Sequence, residues 1–422
     1  MKNLKEIILG ASLIALLCTS CQNENPSNDN LQPDTATAVD DKNIIPYQYI
    51  VVFKDSRISP ASKQLAKSSF TSRKAKAQSV AGISKTSISK INDILSDNNI
   101  DKSKVLNYYT TEISGVAIRL TDPEFDRLIK DDNVEVIEFD RIVEIPEMEV
   151  ENLTTQKSAQ RMSQVTPCGI NNAGGSSNGS GKSEWIWIVD SGIDLDHPDL
   201  NVITNSTYAK SFIDNTPNDC HGHGTHVAGT AAAIDNGFGV VGVSAGAPVV
   251  PVKVLNCSNR GSTSGILAGI NHVGQYFIAG DVVNLSLGGY FGWGCGSYSS
   301  YRNSLLNLGQ GGAYVSIAAG NDSADASYFE PACVNGPNIF TIASMTCNGS
   351  FSSFSNYNMN PIDFIATGSN VYSTYLNGGY ATLGGTSMAA PHVAGIMHAK
   401  GGAPNTGGNV YNRGEYYPIA VK

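Results

Sequence analysis

Short apolar runs alternate with helical patterns along most of the chain, and residues 44–146 form the first region in which they do so. Two runs there have the length and the β-branched and aromatic content of strands, and a third stretch alternates apolar and polar residues. Strands are predicted at residues 47–53, 115–120 and 134–145, and helices at residues 87–95 and 122–130. Strands interleaved with helices in so short a region predict a small open-faced α+β sandwich.

The region of residues 163–422 has a different pattern. Its apolar runs are short and nearly free of polar residues, as strands buried on both faces are. Strands are predicted at residues 184–189, 248–255, 281–287, 313–319 and 339–344, and helices at residues 225–233 and 264–276. This alternation predicts an α/β fold, a parallel sheet with helices on both faces, in which ligands bind beyond the carboxyl ends of the strands.

The first 43 residues carry targeting signals rather than a fold. Residues 1–21 combine Lys2 and Lys5 with an apolar run that is too short to span a bilayer, so they predict an export signal. The small residues before Cys21 resemble the cleavage box of bacterial lipoproteins, which would place a lipid on Cys21 at an envelope membrane or surface of a bacterial cell. An ordinary cleaved signal and secretion are the alternative. Residues 22–43 are rich in Asn, Asp, Pro and Thr and predict a disordered tether.

Composition limits the partners of the remaining chain. The 422 residues include 28 Lys and Arg against 37 Asp and Glu, and the net charge of −9 argues against a nucleic-acid partner. One basic stretch, residues 63–76, is interpreted as a solvated or mobile insertion rather than as a binding patch. We expect a monomer.

Three polar residues stand at the ends of elements that the patterns predict to be rigid and buried. Asp190 ends an apolar strand, His223 opens a helix of small residues after Gly222, and Ser387 opens another such helix after Gly385. An imidazole can take the proton of a serine hydroxyl and return it to a leaving amine, and a carboxylate can orient that imidazole. A serine at a helix start is also a common N-cap, so Ser387 alone would not decide the matter.

The chain order Asp, His, Ser, with the blocks around all three residues, resembles that of the subtilisin-like serine peptidases, the subtilase family, and its proteinase K-like branch. The resemblance spans about residues 185–395. It implies Asp190, His223 and Ser387 as the catalytic triad, an acyl-enzyme intermediate, and no cofactor for catalysis. It also implies that Asn321 and the Ser387 backbone N–H donate hydrogen bonds to the tetrahedral intermediate.

The same resemblance assigns a substrate cleft. Two walls and a strand edge would bind the peptide backbone, and their glycines would let it approach closely. The residues are Ser286, Leu287, Gly288 and Gly289 in one wall, Ala318, Ala319 and Gly320 in the other, and Gly261 and Ser262 in the strand edge. An open apolar pocket predicts a broad endopeptidase that prefers large hydrophobic or aromatic residues before the scissile bond.

Residues 44–146 resemble the inhibitory propeptide that precedes such domains. The resemblance implies a zymogen in which this domain inhibits the enzyme and templates its folding, with residues 147–162 as a processing linker and residues 163–422 as the peptidase domain. We expect the peptidase to cut its own chain between Pro146 and Ser163.

Six cysteines remain beyond the signal, and their even number in an exported chain predicts disulfides. The proteinase K resemblance implies the pair Cys220–Cys257. Cys333–Cys347 is disfavoured because a predicted strand separates the two, which leaves Cys295–Cys333 and Cys168–Cys347 as the remaining interpretation. The resemblance also implies a structural Ca²⁺ site. Its ligands would come from Pro337, Ile339 and Asp363.

Alternative functions make different demands on the sequence. A metal site at His221, His223 and His226 would need an acidic residue where Thr225 stands. A non-enzymatic binding module on this scaffold would be expected to lack a member of the triad, and none is missing. An esterase of the α/β-hydrolase type would need Gly-x-Ser-x-Gly around Ser387 and another triad order.

Overall fold

The structure is a computed structural model that describes residues 43–66, 70–146, 149–155, 158, 163–291, 295 and 299–422. The predicted signal segment, Cys21 and the tether through residue 42 lie outside the described residues. Among the residues that are described, no helix has both the length and the apolar character needed to cross a membrane.

The N-terminal domain (residues 43–146) is an antiparallel sheet with helices packed on one face, as the sequence predicts. Its strands are β1 Ile44–Phe53, β2 Val105–Tyr109, β3 Gly115–Arg119 and β4 Val134–Glu144, and its helices are α1 Ala61–Gln64, α2 Arg73–Asp97 and α3 Asp122–Leu128. A short 3-10 helix, Lys102–Lys104, precedes β2. The apolar residues of β1 and α2 share one buried cluster, in which Val51, Ile91 and Leu95 are inaccessible to solvent.

The basic stretch of residues 63–76 was expected to be a solvated or mobile insertion, and this interpretation is wrong for its last residues. Helix α2 begins at Arg73, with the Ser72 hydroxyl accepting from Ala75 N at 3.4 Å. Ala, Lys and Gln, which favour helices, continue the helix there without an apolar stripe that a periodicity analysis could detect. The Arg73 side chain is buried against the C-terminal domain.

The C-terminal domain (residues 163–422) contains the predicted parallel sheet. In chain order, its first elements are α4 Cys168–Asn172, β6 Ser177–Asn178, β7 Ile186–Asp190, β8 Lys210–Ser211, α5 His223–Ala232, β9 Ser244–Ala245, β10 Val249–Lys253, β11 Arg260–Ser262 and α6 Thr263–Tyr276. They are followed by β12 Val282–Leu285, β13 Gly289–Tyr290, α7 Ser299–Gln310, β14 Tyr314–Ala318, a 3-10 helix Ala326–Tyr328, β15 Phe329–Glu330, β16 Ile339–Met345, β17 Ile362–Thr367, β18 Val371–Tyr375, β19 Gly379–Leu383 and α8 Thr386–Lys400. The chain ends in β20 Asn405–Asn412 and β21 Glu415–Val421. Along the chain, the segment between the two domains contains one more strand, β5 Glu151–Thr154.

The main sheet has the order β20-β21-β17-β16-β14-β12-β7-β10-β8. Strands β17 to β8 in this order run parallel to one another. The five of them that the sequence analysis predicted, β16, β14, β12, β7 and β10, lie within two residues of their predicted bounds. Helix α8 crosses this sheet with Ser387, Met388 and Ala389 buried, because its small residues allow close approach to the strands. Ser387 therefore stands on a helix that is buried against the central strands of the sheet.

The C-terminal hairpin has no counterpart in the sequence predictions. Strands β20 and β21 pair antiparallel, and β21 pairs parallel with β17 at Ile365 and Ile419. Tyr417 is fully buried, and its hydroxyl accepts from Asn358 N at 3.0 Å. The hairpin thus extends the sheet where local patterning gave little indication of a strand.

The two domains share a sheet. β4 pairs antiparallel with β11, with Ile142 opposite Ser262 and Glu144 opposite Arg260, so the five-stranded order is β11-β4-β1-β3-β2. Ile145 N continues the pairing by donating to Asn259 O at 3.1 Å. The chain then joins a different strand pair, since β5 pairs with β19.

Two acidic side chains of β4 meet the starts of two helices of the C-terminal domain. Asp140 Oδ1 accepts from Ser264 N of α6 at 2.9 Å, and Glu138 Oε1 accepts from Ser300 N of α7 at 3.2 Å. Both carboxylates are buried, so each satisfies a backbone donor that its helix leaves unpaired.

Candidate active site

Asp190 and His223 form a buried pair at the carboxyl edge of the main sheet. Asp190 ends β7, His223 begins α5, and His223 Nδ1 lies 2.7 Å from Asp190 Oδ1. Both residues are inaccessible to solvent. When Nδ1 carries the proton that it donates to Asp190, the lone pair on Nε2 is available as a base.

Ser387 is the second residue of α8 and is 3% exposed. Its hydroxyl donates to the Ser286 carbonyl at 3.2 Å, and the Ser286 hydroxyl donates to the Ser387 carbonyl at 2.8 Å. His223 Nε2 has no hydrogen-bond partner among the residues that the structure describes. The serine and the imidazole are thus not hydrogen-bonded in this conformation, and such contacts often form only when substrate is bound.

The start of α5 is held by a residue that the sequence analysis did not assign to the site. Asp219 Oδ1 accepts from Gly222 N at 2.9 Å, and Oδ2 accepts from Thr225 N at 3.0 Å. The Ser191 hydroxyl donates to Asp219 at 3.0 Å and accepts from Gly224 N at 2.9 Å. This network fixes the turn before His223, and an Asp shortly before a helix start is its only local signal.

Asn321 lies beside the start of α8, after the carboxyl end of β14. Its Oδ1 accepts from Thr386 N at 2.8 Å and from the Thr386 hydroxyl at 2.9 Å. Because the oxygen is engaged in these bonds, the amide nitrogen is the end left to donate to a ligand. Asn356, which the sequence analysis missed, supports this loop by donating to Ala319 O at 2.9 Å.

The predicted cleft residues lie at the ends of neighbouring strands. Ser286, Leu287, Gly288 and Gly289 follow β12, Ala318, Ala319 and Gly320 close β14, and Gly261 and Ser262 lie in β11. Gly320 has φ +102°, and a Cβ there would lie 2.3 Å from Asn356 Nδ2, so a glycine is required. The edge of β11 is covered by β4.

The three nearby histidines do not converge on one point. His226 Nε2 lies 3.0 Å from Val371 O and 3.1 Å from Ala381 O, on the side of α5 that faces β18 and β19. Burial lowers the pKa of His226 to about 3, so this ring is neutral. The His221 and His223 ring centroids are 6.3 Å apart. His226 therefore acts as a donor to the two carbonyl groups.

The residues predicted to hold calcium lie at one edge of the sheet. Pro337 and Ile339 stand just before and at the start of β16, and Asp363 is in the neighbouring strand β17. Asp363 Oδ2 accepts from Thr341 N at 2.8 Å, and burial raises the pKa of this carboxyl to about 6. Oxygen donors from two adjacent strands suit a hard cation.

Three disulfides link the cysteines of the C-terminal domain as Cys168–Cys347, Cys220–Cys257 and Cys295–Cys333. The prediction of disulfides is confirmed. Cys220 directly follows Asp219, so its bond to Cys257 ties the turn before His223 to the loop that leads into β11.

Comparison with known proteins identifies both domains. Residues 181–400 match the profile of the subtilase family, and residues 48–146 match that of peptidase inhibitor I9. The chain is 31% identical to an extracellular serine proteinase of Thermus sp. (strain Rt41A), over 91% of this chain and 87% of that protein. It is 33% identical to subtilisin-like protease 7 of Arthroderma gypseum, over 71% of this chain and 72% of that protein.

A solved structure is also similar to this chain. It is the crystal structure of a cold-adapted subtilisin-like serine proteinase, with 36% identity and a TM-score of 0.47, over 53% of this chain and 77% of that one. The profile matches and the extended identity to the two peptidases place this chain in the subtilase family, as a serine peptidase preceded by an inhibitory propeptide of the I9 type.

Proposed function

We propose that the protein is an endopeptidase whose catalytic residues are Asp190, His223 and Ser387. The observation that carries this proposal is the buried 2.7 Å contact between Asp190 and His223, whose helix α5 packs against the helix α8 that begins with Thr386 and Ser387. His223 Nε2 takes the proton of the Ser387 hydroxyl as its oxygen attacks the peptide carbonyl. The imidazolium that forms is stabilised by Asp190 and returns the proton to the leaving amine.

The tetrahedral intermediate carries an oxyanion that needs donors. The Asn321 amide nitrogen and the Ser387 backbone N–H supply them, and the latter also brings the positive end of the α8 dipole. Water then repeats the sequence on the acyl-enzyme, with His223 again as base.

The test compares wild-type chain with Ser387→Ala on fluorescent casein and a fluorophosphonate probe. Wild type should degrade casein and take the label at one serine, and Ser387→Ala should do neither. Ser353→Ala, an exposed serine of the same domain, serves as the matched control and should behave as wild type. Labelling of Ser387→Ala would contradict the assignment of the nucleophile.

The protein is further proposed to mature by cutting its own chain. The pairing of β4 with the predicted substrate strand β11 supports this, because it is the backbone pairing expected of a bound substrate. The chain leaves that strand after Ile145 and joins β19 at Glu151. We therefore expect the cut between Pro146 and Val150, within the wider range of residues 146–163. Intact mass and N-terminal sequencing check it, and processing of Ser387→Ala in the absence of other proteases would refute self-cleavage.

The cleft is proposed to take large hydrophobic or aromatic side chains before the scissile bond. The walls support this, since Leu287, Ala318 and Ala319 are apolar and the glycines leave space between them. A peptide library in which Arg or Lys is preferred at that position would refute it.

Pro337, Ile339 and Asp363 are proposed to hold a structural Ca²⁺ through two backbone carbonyls and one carboxylate, with water completing the shell. The ion would stabilise this edge of the sheet and would take no part in the reaction. Removing calcium with a chelator should lower the melting temperature of Ser387→Ala chain, and Asp363→Asn should remove the calcium response. An unchanged melting temperature would refute the site.

Export is proposed from the sequence of residues 1–21 and from the similarity to a proteinase that is named extracellular. Lipid attachment at Cys21 is proposed with it, and a monomer is expected. Metabolic labelling with an alkyne fatty acid should mark wild type and not Cys21→Ser, whereas release of unlabelled wild type into the medium would favour plain secretion.

A further inference from the structure

One buried arginine of the N-terminal domain penetrates the C-terminal domain. The Arg73 guanidinium donates from Nη1 and Nη2 to the two carboxylate oxygens of Asp281, and Nη2 also donates to Ser183 O at 2.9 Å. Its Cζ lies 3.7 Å from the centroid of the Trp185 ring. Arg73 is 7% exposed and Asp281 is inaccessible to solvent. A planar fork stacked on an aromatic face suits a guanidinium and not an ammonium group.

The groups that hold Asp281 in place belong to the C-terminal domain. Asp281 Oδ1 accepts from Trp185 N at 2.9 Å, and Oδ2 accepts from Trp187 Nε1 at 2.9 Å and from Ile278 N at 3.2 Å. These donors do not depend on α2. The carboxylate and the Trp185 ring are thus arranged for a cation by the C-terminal domain itself.

The Asp281 carboxylate and the Trp185 ring lie at the amino-terminal ends of the sheet strands, whereas the active site lies at the carboxyl ends. Asp281 directly precedes β12 and Trp185 directly precedes β7, whereas Ser286 and Asp190 are at the other ends of these strands. At about 3.3 Å per residue, roughly 17 Å separates the two edges. One polypeptide can occupy both places, as this chain does with α2 at one and β4 at the other.

We propose that Asp281, Trp185 and the Ser183 carbonyl form a guanidinium site on the C-terminal domain. Arg73 fills it in the full-length chain, and an arginine side chain of another polypeptide fills it once the N-terminal domain has left. The vacancy in the processed enzyme rests on the proposed self-cleavage, whereas the site itself does not. A protein substrate or inhibitor that carries an arginine at the right distance gains a second attachment away from the scissile bond.

The first experiment uses full-length chain with Arg73→Ala and Ser387→Ala, which empties the site in a chain that cannot cut itself. It is titrated with N-acetylarginine methylamide while tryptophan fluorescence and melting temperature are followed. We expect a saturable response in the millimolar range, and binding at least about tenfold weaker for the uncharged N-acetylcitrulline methylamide. Adding Asp281→Asn should remove the response, and chain that retains Arg73 should show none. Equal binding of the two ligands would overturn the site.

The second experiment needs no substitution in the site, so it stands even where a variant fails to fold. Wild-type enzyme is allowed to process, its serine is blocked with a fluorophosphonate, and the N-terminal domain is removed before the same titration. Saturable, arginine-selective binding supports the proposal, and its absence overturns the availability of the site to other polypeptides. A chain that never processes refutes the proposed self-cleavage, while the first experiment still decides whether the guanidinium site exists.

Discussion

Asp140→Asn tests whether the N-terminal domain binds the C-terminal domain by capping the N-terminus of helix α6. The carboxylate is inaccessible to solvent, and Oδ1 accepts from Ser264 N of α6 at 2.9 Å while Oδ2 accepts from Gln48 Nε2 at 2.5 Å. Asparagine has the same shape and can still accept from Ser264 N once Gln48 turns its amide. The substitution therefore removes the charge and leaves the packing.

The expected loss follows from two contributions. A hydrogen bond to a charged group contributes about 1 kcal/mol more than a neutral one, and a carboxylate at a helix N-terminus adds about 0.3–1 kcal/mol or more where it is buried. Because a partly buried carboxylate can add up to about 2 kcal/mol, the two contributions sum to about 1.3–3 kcal/mol. Burying the charge has a desolvation cost that the neutral side chain avoids, which reduces the net loss to about 1–2 kcal/mol. Such a loss corresponds to a rise of roughly 5- to 30-fold in the inhibition constant.

The assay is inhibition of processed enzyme by separately added N-terminal domain with and without Asp140→Asn. Asp126→Asn, which removes the same charge from an exposed position on α3, is the matched control and should change the inhibition constant less than about twofold. A rise for Asp140→Asn that is no larger than that of the control would refute the reasoning. Circular dichroism of both added domains shows whether they are folded.

The remaining predictions concern catalysis, pH and the disulfides. Asn321→Ala should lower kcat by about 10²–10³ with little change in KM, because its amide acts on the intermediate, as steady-state hydrolysis of a chromogenic peptide will show. Burial and the nearby Glu138 raise the pKa of Glu330 to about 9, so its neutral form favours folding and stability falls as pH rises above about 4.5. Glu330→Gln should remove a loss of up to about 4 kcal/mol between about pH 5 and about pH 8, measured by urea unfolding of Ser387→Ala chain. Replacing Cys220 and Cys257 by serine should lower the unfolding free energy by about 4 kcal/mol, since the bond closes a separation of 37 residues.

Each of these predictions has an outcome that contradicts it. If Asn321→Ala raises KM and lowers both kcat and the melting temperature, the effect would come from the lost bonds to Thr386 and not from the oxyanion. Glu135→Gln removes an exposed carboxylate of β4 and serves as the control. If Glu135→Gln changes the pH dependence of the unfolding free energy as much as Glu330→Gln does, the role of burial is refuted. A double serine variant as stable as the parent would show that the Cys220–Cys257 bond adds nothing.

The local sequence pattern was sufficient to predict the elements whose burial is evident from their own apolar periodicity. The strand that ends at Asp190 is apolar throughout because both its faces are buried, and the helix after Gly385 consists of small residues because it lies on the sheet. These features located the predicted triad and the parallel sheet. The order of the three motifs along the chain supplied the family.

What the sequence did not indicate depends on distant partners. Arg73 is one basic residue among several until Asp281 and Trp185 are brought to it, 208 positions away in the case of Asp281. The hairpin of β20 and β21 contains glycines and tyrosines that become a strand pair only on the edge of β17. Asp219 supports His223 through backbone donors, and no side-chain pattern records such bonds.

The short connection between β4 and β5 has a consequence for when the enzyme becomes active. While residues 145–151 are intact, they hold the N-terminal domain beside the cleft at an effective concentration of the order of millimolar, at which the inhibitor hardly leaves. If the connection is cut as proposed, β5, which pairs with β19, belongs to the C-terminal fragment, and the N-terminal domain becomes a separate ligand whose occupancy of the cleft falls with dilution. The same cut would thus release activity quickly where the N-terminal domain is diluted into a large volume, and slowly where it is confined in a small one.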